Sequence, residues 1–201
     1  MTGERNFDRE VRVYFNFRSP YCYLASKSLF QALEPFDVTL AWMPLSGWNG
    51  RSPPERAAEK VPLARQDVSR WCARLAIPFV PPPADTDPTN PALISLAALE
   101  LGLLREFVVM AMHAEWGEGR DIGQPEVLHD IAAQIGMPVA VVEGALCNTA
   151  YLDTLAHNWE RARTDGVIGV PSFVIGTEVF WGNDRIDFLQ DYLASLKLTR
   201  T

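Results

Sequence analysis

Two stretches near opposite ends of the chain hold residue types that could do chemistry. The first is Ser19-Pro20-Tyr21-Cys22. Serine before proline is a helix-start signal: the serine oxygen caps free N–H groups, and proline suits the first turn, where its missing donor costs nothing. The start of a helix favours an anion, and a thiolate held there has a lowered pKa. A serine hydroxyl does not ionise near neutral pH, so its contribution would be one hydrogen bond donated to a thiolate that a ligand brings. The plain alternative is an ordinary Ser-Pro helix start. Cys22, one turn further on, reads as a small buried hydrophobe.

The second stretch is Gly166-Val167-Ile168-Gly169-Val170-Pro171-Ser172-Phe173. A proline opening a strand after Gly-Val implies a turn, and cis costs an X-Pro bond only about 0.5–1 kcal/mol, so both isomers stay open. In the cis form Val170 would turn its N–H and C=O outward, to pair with an extended peptide ligand by strand addition. The alternative is a simple strand-start proline. Further on, Gly182-Asn183-Asp184-Arg185 precedes a helical pattern. Asp184 suits an ammonium group, and Asn183 or the local N–H groups suit a carboxylate; capping of the final helix by Asn183 or Asp184 is the competing reading.

Metal chemistry has no support. Cys22, Cys72 and Cys147 lie far from one another and from His113, His129 and His157, so no ligand spacing for zinc appears. An odd cysteine count without a C-x-x-C pair also gives no disulfide framework and fits a reducing compartment.

The elements that must position these residues follow from periodicity. Val11 to Phe17 alternates apolar and polar residues, as a strand does. Tyr21 to Leu33 carries apolar residues at helical spacing, and Val38 to Met43 reads as a second strand. Strand, helix and strand in about 35 residues make a βαβ unit with parallel pairing. A loop rich in proline and glycine follows, then helical patterns at 61–76, 91–101, 103–115, 125–135, 138–146 and 150–164. Pro171 to Ile175 and Thr177 to Trp181 flank Gly176 as a hairpin, and a last helix runs over 185–196. The expected fold is α/β, with a small sheet unit at 8–44 and 165–199 and an all-helical insertion at 45–164.

Composition narrows the function classes. The 201 residues include 18 Lys and Arg against 25 Asp and Glu, a net charge of −7. That balance argues against nucleic-acid binding, which needs clustered cations. With 48% apolar and 21% charged residues the chain has the composition of a globular protein rather than a disordered one. No apolar run approaches the roughly 20 residues of a membrane span. The polar segment Met1 to Arg12 lacks a secretory or transit signature, so a cytoplasmic protein without membrane partners is expected.

Taken together, Ser19-Pro20-Tyr21-Cys22-Tyr23-Leu24-Ala25, the segment Glu115 to Ile122, Gly166 to Phe173 and Phe180 to Leu189 resemble the 2-hydroxychromene-2-carboxylate isomerase family. That family belongs with kappa-class glutathione transferases and DsbA-like thioredoxin folds, and the resemblance spans about Val11 to Leu196. It implies a thioredoxin-like fold, β-α-β…β-β-α, with the helical insertion. It also implies glutathione as cofactor, a small-molecule substrate from aromatic catabolism and a homodimer. Ser19 then stands where relatives of this fold carry a nucleophilic cysteine, and holds the glutathione thiolate. Val170 and Pro171 meet the cysteinyl part, while Asn183, Asp184 and Arg185 meet the γ-glutamyl end. In the loop Leu45 to Pro54, Arg51 takes the place of the family's lysine for a substrate carboxylate. Asn49 faces a keto or hydroxyl group, and Tyr21 completes the substrate side. The thiolate adds reversibly to a conjugated substrate, a bond rotates, and elimination returns glutathione. A kappa-like glutathione transferase and a DsbA-like oxidoreductase using Cys22 stay open on the same scaffold. Ser19 counts against the latter, because it removes the attacking thiol.

Overall fold

The computed structural model describes residues 9–47 and 54–200. Four strands form one mixed sheet: β1 (Glu10–Phe15), β2 (Thr39–Pro44), β3 (Ser172–Ile175) and β4 (Glu178–Trp181), in the order β2-β1-β3-β4. β1 pairs with β2 in parallel and with β3 antiparallel, and β3 with β4 antiparallel. The expected βαβ crossover and C-terminal hairpin are both present. Among the described residues between β2 and β3 lie six helices: α3 (Pro54–Leu75), α4 (Thr89–Glu100), α5 (Leu104–Trp116), α6 (Pro125–Gln134), α7 (Val139–Leu146) and α8 (Thr149–Thr164). This is the thioredoxin-like arrangement with its helical insertion. Among the described residues no helix is long and apolar enough to cross a membrane.

The two faces of β1 are packed differently, as period two requires. Val11, Val13 and Phe15 enter the main core with Trp42 of β2, whose indole N–H donates to Ser95 Oγ of α4 at 2.8 Å. Arg12 and Tyr14 point the other way. There Asp165, at the end of α8, accepts from Arg12 Nε at 2.6 Å and from the Tyr14 hydroxyl at 2.7 Å. A buried cation on a central strand is tolerated because that carboxylate and the Gly176 carbonyl, at 3.0 Å, meet it.

Several local expectations need correction. The single helix expected over Tyr21 to Leu33 is two, α1 (Pro20–Ser26) and α2 (Leu29–Leu33), broken at Lys27-Ser28. The helix read from Val61 begins at Pro54 and carries Pro62 in its interior, at the loss of one ladder hydrogen bond. The last helix is split into a 3-10 turn, Asn183–Arg185, and α9 (Ile186–Ser195), and neither start has a side-chain cap. The capping roles expected of Asn183 and Asp184 are therefore absent.

Candidate active site

Ser19 lies in extended backbone between β1 and α1, and its Oγ accepts from the Cys22 N–H at 3.4 Å. The same hydroxyl donates to the Val170 carbonyl at 3.3 Å. Register explains the meeting: Tyr14 lies opposite Ser172, so residues leaving β1 run beside residues entering β3. The bond between Val170 and Pro171 is cis. The Val170 N–H makes no hydrogen bond among the described residues, so one donor of this backbone edge is open.

The edge is held from its other side by the end of β4. The Gly182 N–H donates to the Pro171 carbonyl at 2.9 Å, with Gly182 at a φ of 118°, a region that favours glycine. A side chain on Gly169 would place its Cβ 2.6 Å from Trp181 Nε1, so the glycine is what lets the indole lie against the loop.

α1 is only seven residues long, so any anion at its start is helped by local N–H groups more than by a long macrodipole. Cys22 is fully buried, and burial pushes its thiol up to about 12, against the hydrogen bonds that favour the thiolate. A buried thiol in that state is a poor nucleophile near neutral pH, which counts against a redox role that relies on Cys22. Cys72 is likewise buried, and Cys147 is exposed.

Tyr21 turns towards α3, where its hydroxyl donates to Asp67 Oδ2 at 3.0 Å. Partial burial, with the bond to Asp67 and the charges of Asp67 and Asp184, pushes the phenol up to about 12, so it keeps its proton. Tyr21 and Asp67 line a cleft of about 490 Å³ together with Arg56, Glu59, Lys60 and Leu63 of α3. Asn183 and Asp184 line a smaller cleft of about 200 Å³ with Leu24 of α1, Ser28 at the start of α2 and Trp71 of α3. Asp184 Oδ2 already pairs with Arg185 Nη1 at 2.7 Å, and Arg185 lies over the Phe188 ring. Ser19, Tyr21, Val170, Pro171, Asn183 and Asp184 are thus gathered around α1, while Arg185 is turned to its own neighbours. Asn49 and Arg51 lie outside the described residues.

Reasoning from sequence missed what supports the Ser19 loop from the helical insertion. Trp116 Nε1 donates to the Phe17 carbonyl at 3.2 Å, and Arg18 Nη1 lies 3.3 Å from Glu115 Oε1. Arg18 also donates to the Ala84 carbonyl at 3.0 Å. A signal for Glu115 existed: Phe107, Val108, Ala111 and Met112 set a buried stripe on α5, and position 115 continues it. Asp67, on the mostly polar α3, had no comparable signal.

The DSBA-like thioredoxin domain model matches residues 10–194. The chain is 28% identical to the 2-hydroxychromene-2-carboxylate isomerase of Sphingobium xenophagum, covering 92% of this chain and 98% of that one. It is 25% identical to the isomerase of the same name from Pseudomonas putida, over 92% and 95%. Among solved structures, a 2-hydroxychromene-2-carboxylate isomerase superposes with a TM-score of 0.78 at 23% identity, over 94% of this chain and 96% of that one. The cytosolic disulfide reductase DsbM from Pseudomonas aeruginosa, solved with GSH, superposes with a TM-score of 0.68 at 18% identity, over 94% and 97%. The two superposed structures share the fold described above. A chain matched from Glu10 to Ala194 and folded in this way belongs to the DSBA-like thioredoxin domain family.

Proposed function

We propose that the protein is a glutathione-dependent isomerase of the 2-hydroxychromene-2-carboxylate type, acting on a conjugated, aromatic-derived carboxylate. The observation that carries this reading is a hydroxyl, not a thiol, at position 19, set 3.3 Å from the carbonyl of Val170. The isomerases among its relatives and the DsbM structure with GSH agree with it.

The residues present fit the tripeptide. Val170 offers an open N–H, the donor an extended backbone needs for strand addition, and Trp181 packed on Gly169 holds that loop in place. Asp184 offers its carboxylate to the γ-glutamyl ammonium in exchange for Arg185, and Asn183 offers its amide to the carboxylate. When bound, glutathione supplies a thiolate able to add reversibly to a conjugated carbon and leave again. Ser19 releases the Val170 carbonyl and donates to that sulfur, which frees the carbonyl for the ligand's own N–H. The long 3.3 Å bond makes the exchange cheap. Tyr21, which keeps its proton and is tied to Asp67, shapes the side of the site where the α3 cleft opens to a second substrate.

Titration of the protein with reduced glutathione, followed by calorimetry and by the far-ultraviolet thiolate band, tests this. Saturable binding with a thiolate signal near neutral pH, lost in Ser19→Ala, is expected. No binding up to millimolar glutathione overturns it.

A further inference from the structure

Glu115 is an ionisable group with no accessible surface, on a helix of the insertion. Its Oε1 meets Arg18, but its Oε2 has no hydrogen-bond partner among the described residues. Such a group costs several kcal/mol to bury, and core packing alone would be better served by leucine. Its place suggests what the cost supports. Glu115 and Trp116 are consecutive and hold Arg18 and Phe17, the two residues leading into Ser19. The field of Glu115 also reaches Cys22, whose N–H caps onto Ser19.

We propose, resting on the reading of Ser19 as a thiolate-holding residue, that Glu115 is a positioning residue acting through Arg18. It fixes the loop that carries Ser19 and, when ionised, cancels the positive charge that Arg18 brings to an anion held there. The groups that face Glu115 are Arg18 from the loop before α1, Cys22 from α1 and Asp121 from the loop after α5; α4 and α6 add no charge to its field among the described residues. Burial raises the carboxyl to about 8 although Arg18 opposes the shift, so the change of state falls where a thiol is also ionising.

The test uses a thiol in place of the serine, so that it does not depend on glutathione. In a Cys22→Ala, Cys147→Ser background, Ser19→Cys provides the parent, and alkylation of the introduced thiol by iodoacetamide is followed against pH. The parent is expected to rise in two steps, the thiol ionising first and Glu115 then strengthening the thiolate as a nucleophile. Adding Glu115→Gln removes the second step. Adding Arg18→Met moves the first step up by about one pH unit, the scale of one partly screened charge. Loss of packing cannot give separate consequences at the two ends of one pair, one on each step. A single step shared by parent and Glu115→Gln overturns the proposal, as does movement of the first step in the same direction in both variants. Should Glu115→Gln fail to fold, infrared spectra of the unaltered protein decide: a protonated carboxyl band lost between about pH 6 and pH 9 supports the assignment, and its absence overturns it. Failure of the unaltered protein to bind glutathione would count against the proposed function alone, since none of these readouts uses glutathione.

Discussion

The Ser19 hydroxyl and the Val170 carbonyl lie 3.3 Å apart although 151 residues separate them along the chain. Ser19→Ala breaks this contact and the cap on Cys22, and is expected to cost about 0.5–2 kcal/mol of stability, the range for a lost N-cap. Turnover should fall by roughly 10–100-fold with little change in KM, because the lost hydrogen bond acts on the nucleophile. Steady-state kinetics and a denaturant melt check both parts. Unchanged turnover would remove Ser19 from the chemistry.

Restoring a thiol at that position should change the class of reaction. Ser19→Cys with Cys22 intact completes a C-x-x-C pair across the first turn of α1. The variant is expected to gain disulfide reduction in an insulin turbidity assay, where the unaltered protein has none. Detectable insulin reduction by the unaltered protein would reopen the redox reading of Cys22.

Cys22 itself should be inert. Its burial, and a thiol pushed up to about 12, predict no alkylation near neutral pH until the chain unfolds. Cys22→Ser is expected to keep activity while losing about 1–3 kcal/mol, since a hydroxyl replaces a buried small hydrophobe. Loss of all activity with the fold intact would contradict the assignment.

The network behind the sheet gives a pH prediction. Burial alone would raise the Asp165 carboxyl, but hydrogen bonds from Tyr14 and Arg12, with the charges of Arg12 and Arg161, hold it below the usual range. A lowered folded value stabilises the protein above the unfolded carboxylate pKa of about 3.9 and loses that stability as pH falls through the folded value. Asp165→Ala is therefore expected to cost about 3 kcal/mol at neutral pH, and less in acid. Melts at several pH values check this; a difference that does not shrink in acid would mean that packing dominates.

Much of the sheet was legible because period two and turn residues are local signals. Val11 to Phe15 alternates, Gly176 marks the hairpin, and Ser19-Pro20 announces α1. The break at Lys27-Ser28 was not legible, for neither proline nor glycine stands there and the apolar spacing runs on to Leu33. Pro53 and Pro54 read as part of a loop and implied a later start for α3, yet Pro54 is the first residue of the helix, where a missing N–H loses no helical partner. At the site, the resemblance set Ser19 and Val170 against the same glutathione, while their direct hydrogen bond depends on the antiparallel pairing of β1 with β3, which is not a local signal. The ties of Tyr21 to Asp67 and of Arg18 to Glu115 depend on how helices of the insertion dock, which no local pattern encodes.

The support that Glu115 and Trp116 give to Phe17 and Arg18 has a consequence for how this protein can be recombined. The helical segment looks like an exchangeable part, since it enters after one strand and leaves before another. A chimera that borrows the segment from a relative would nevertheless replace the residues that hold the loop carrying Ser19. Residues 17–18 and 115–116 form the unit to be transplanted together, and drift at one pair constrains drift at the other.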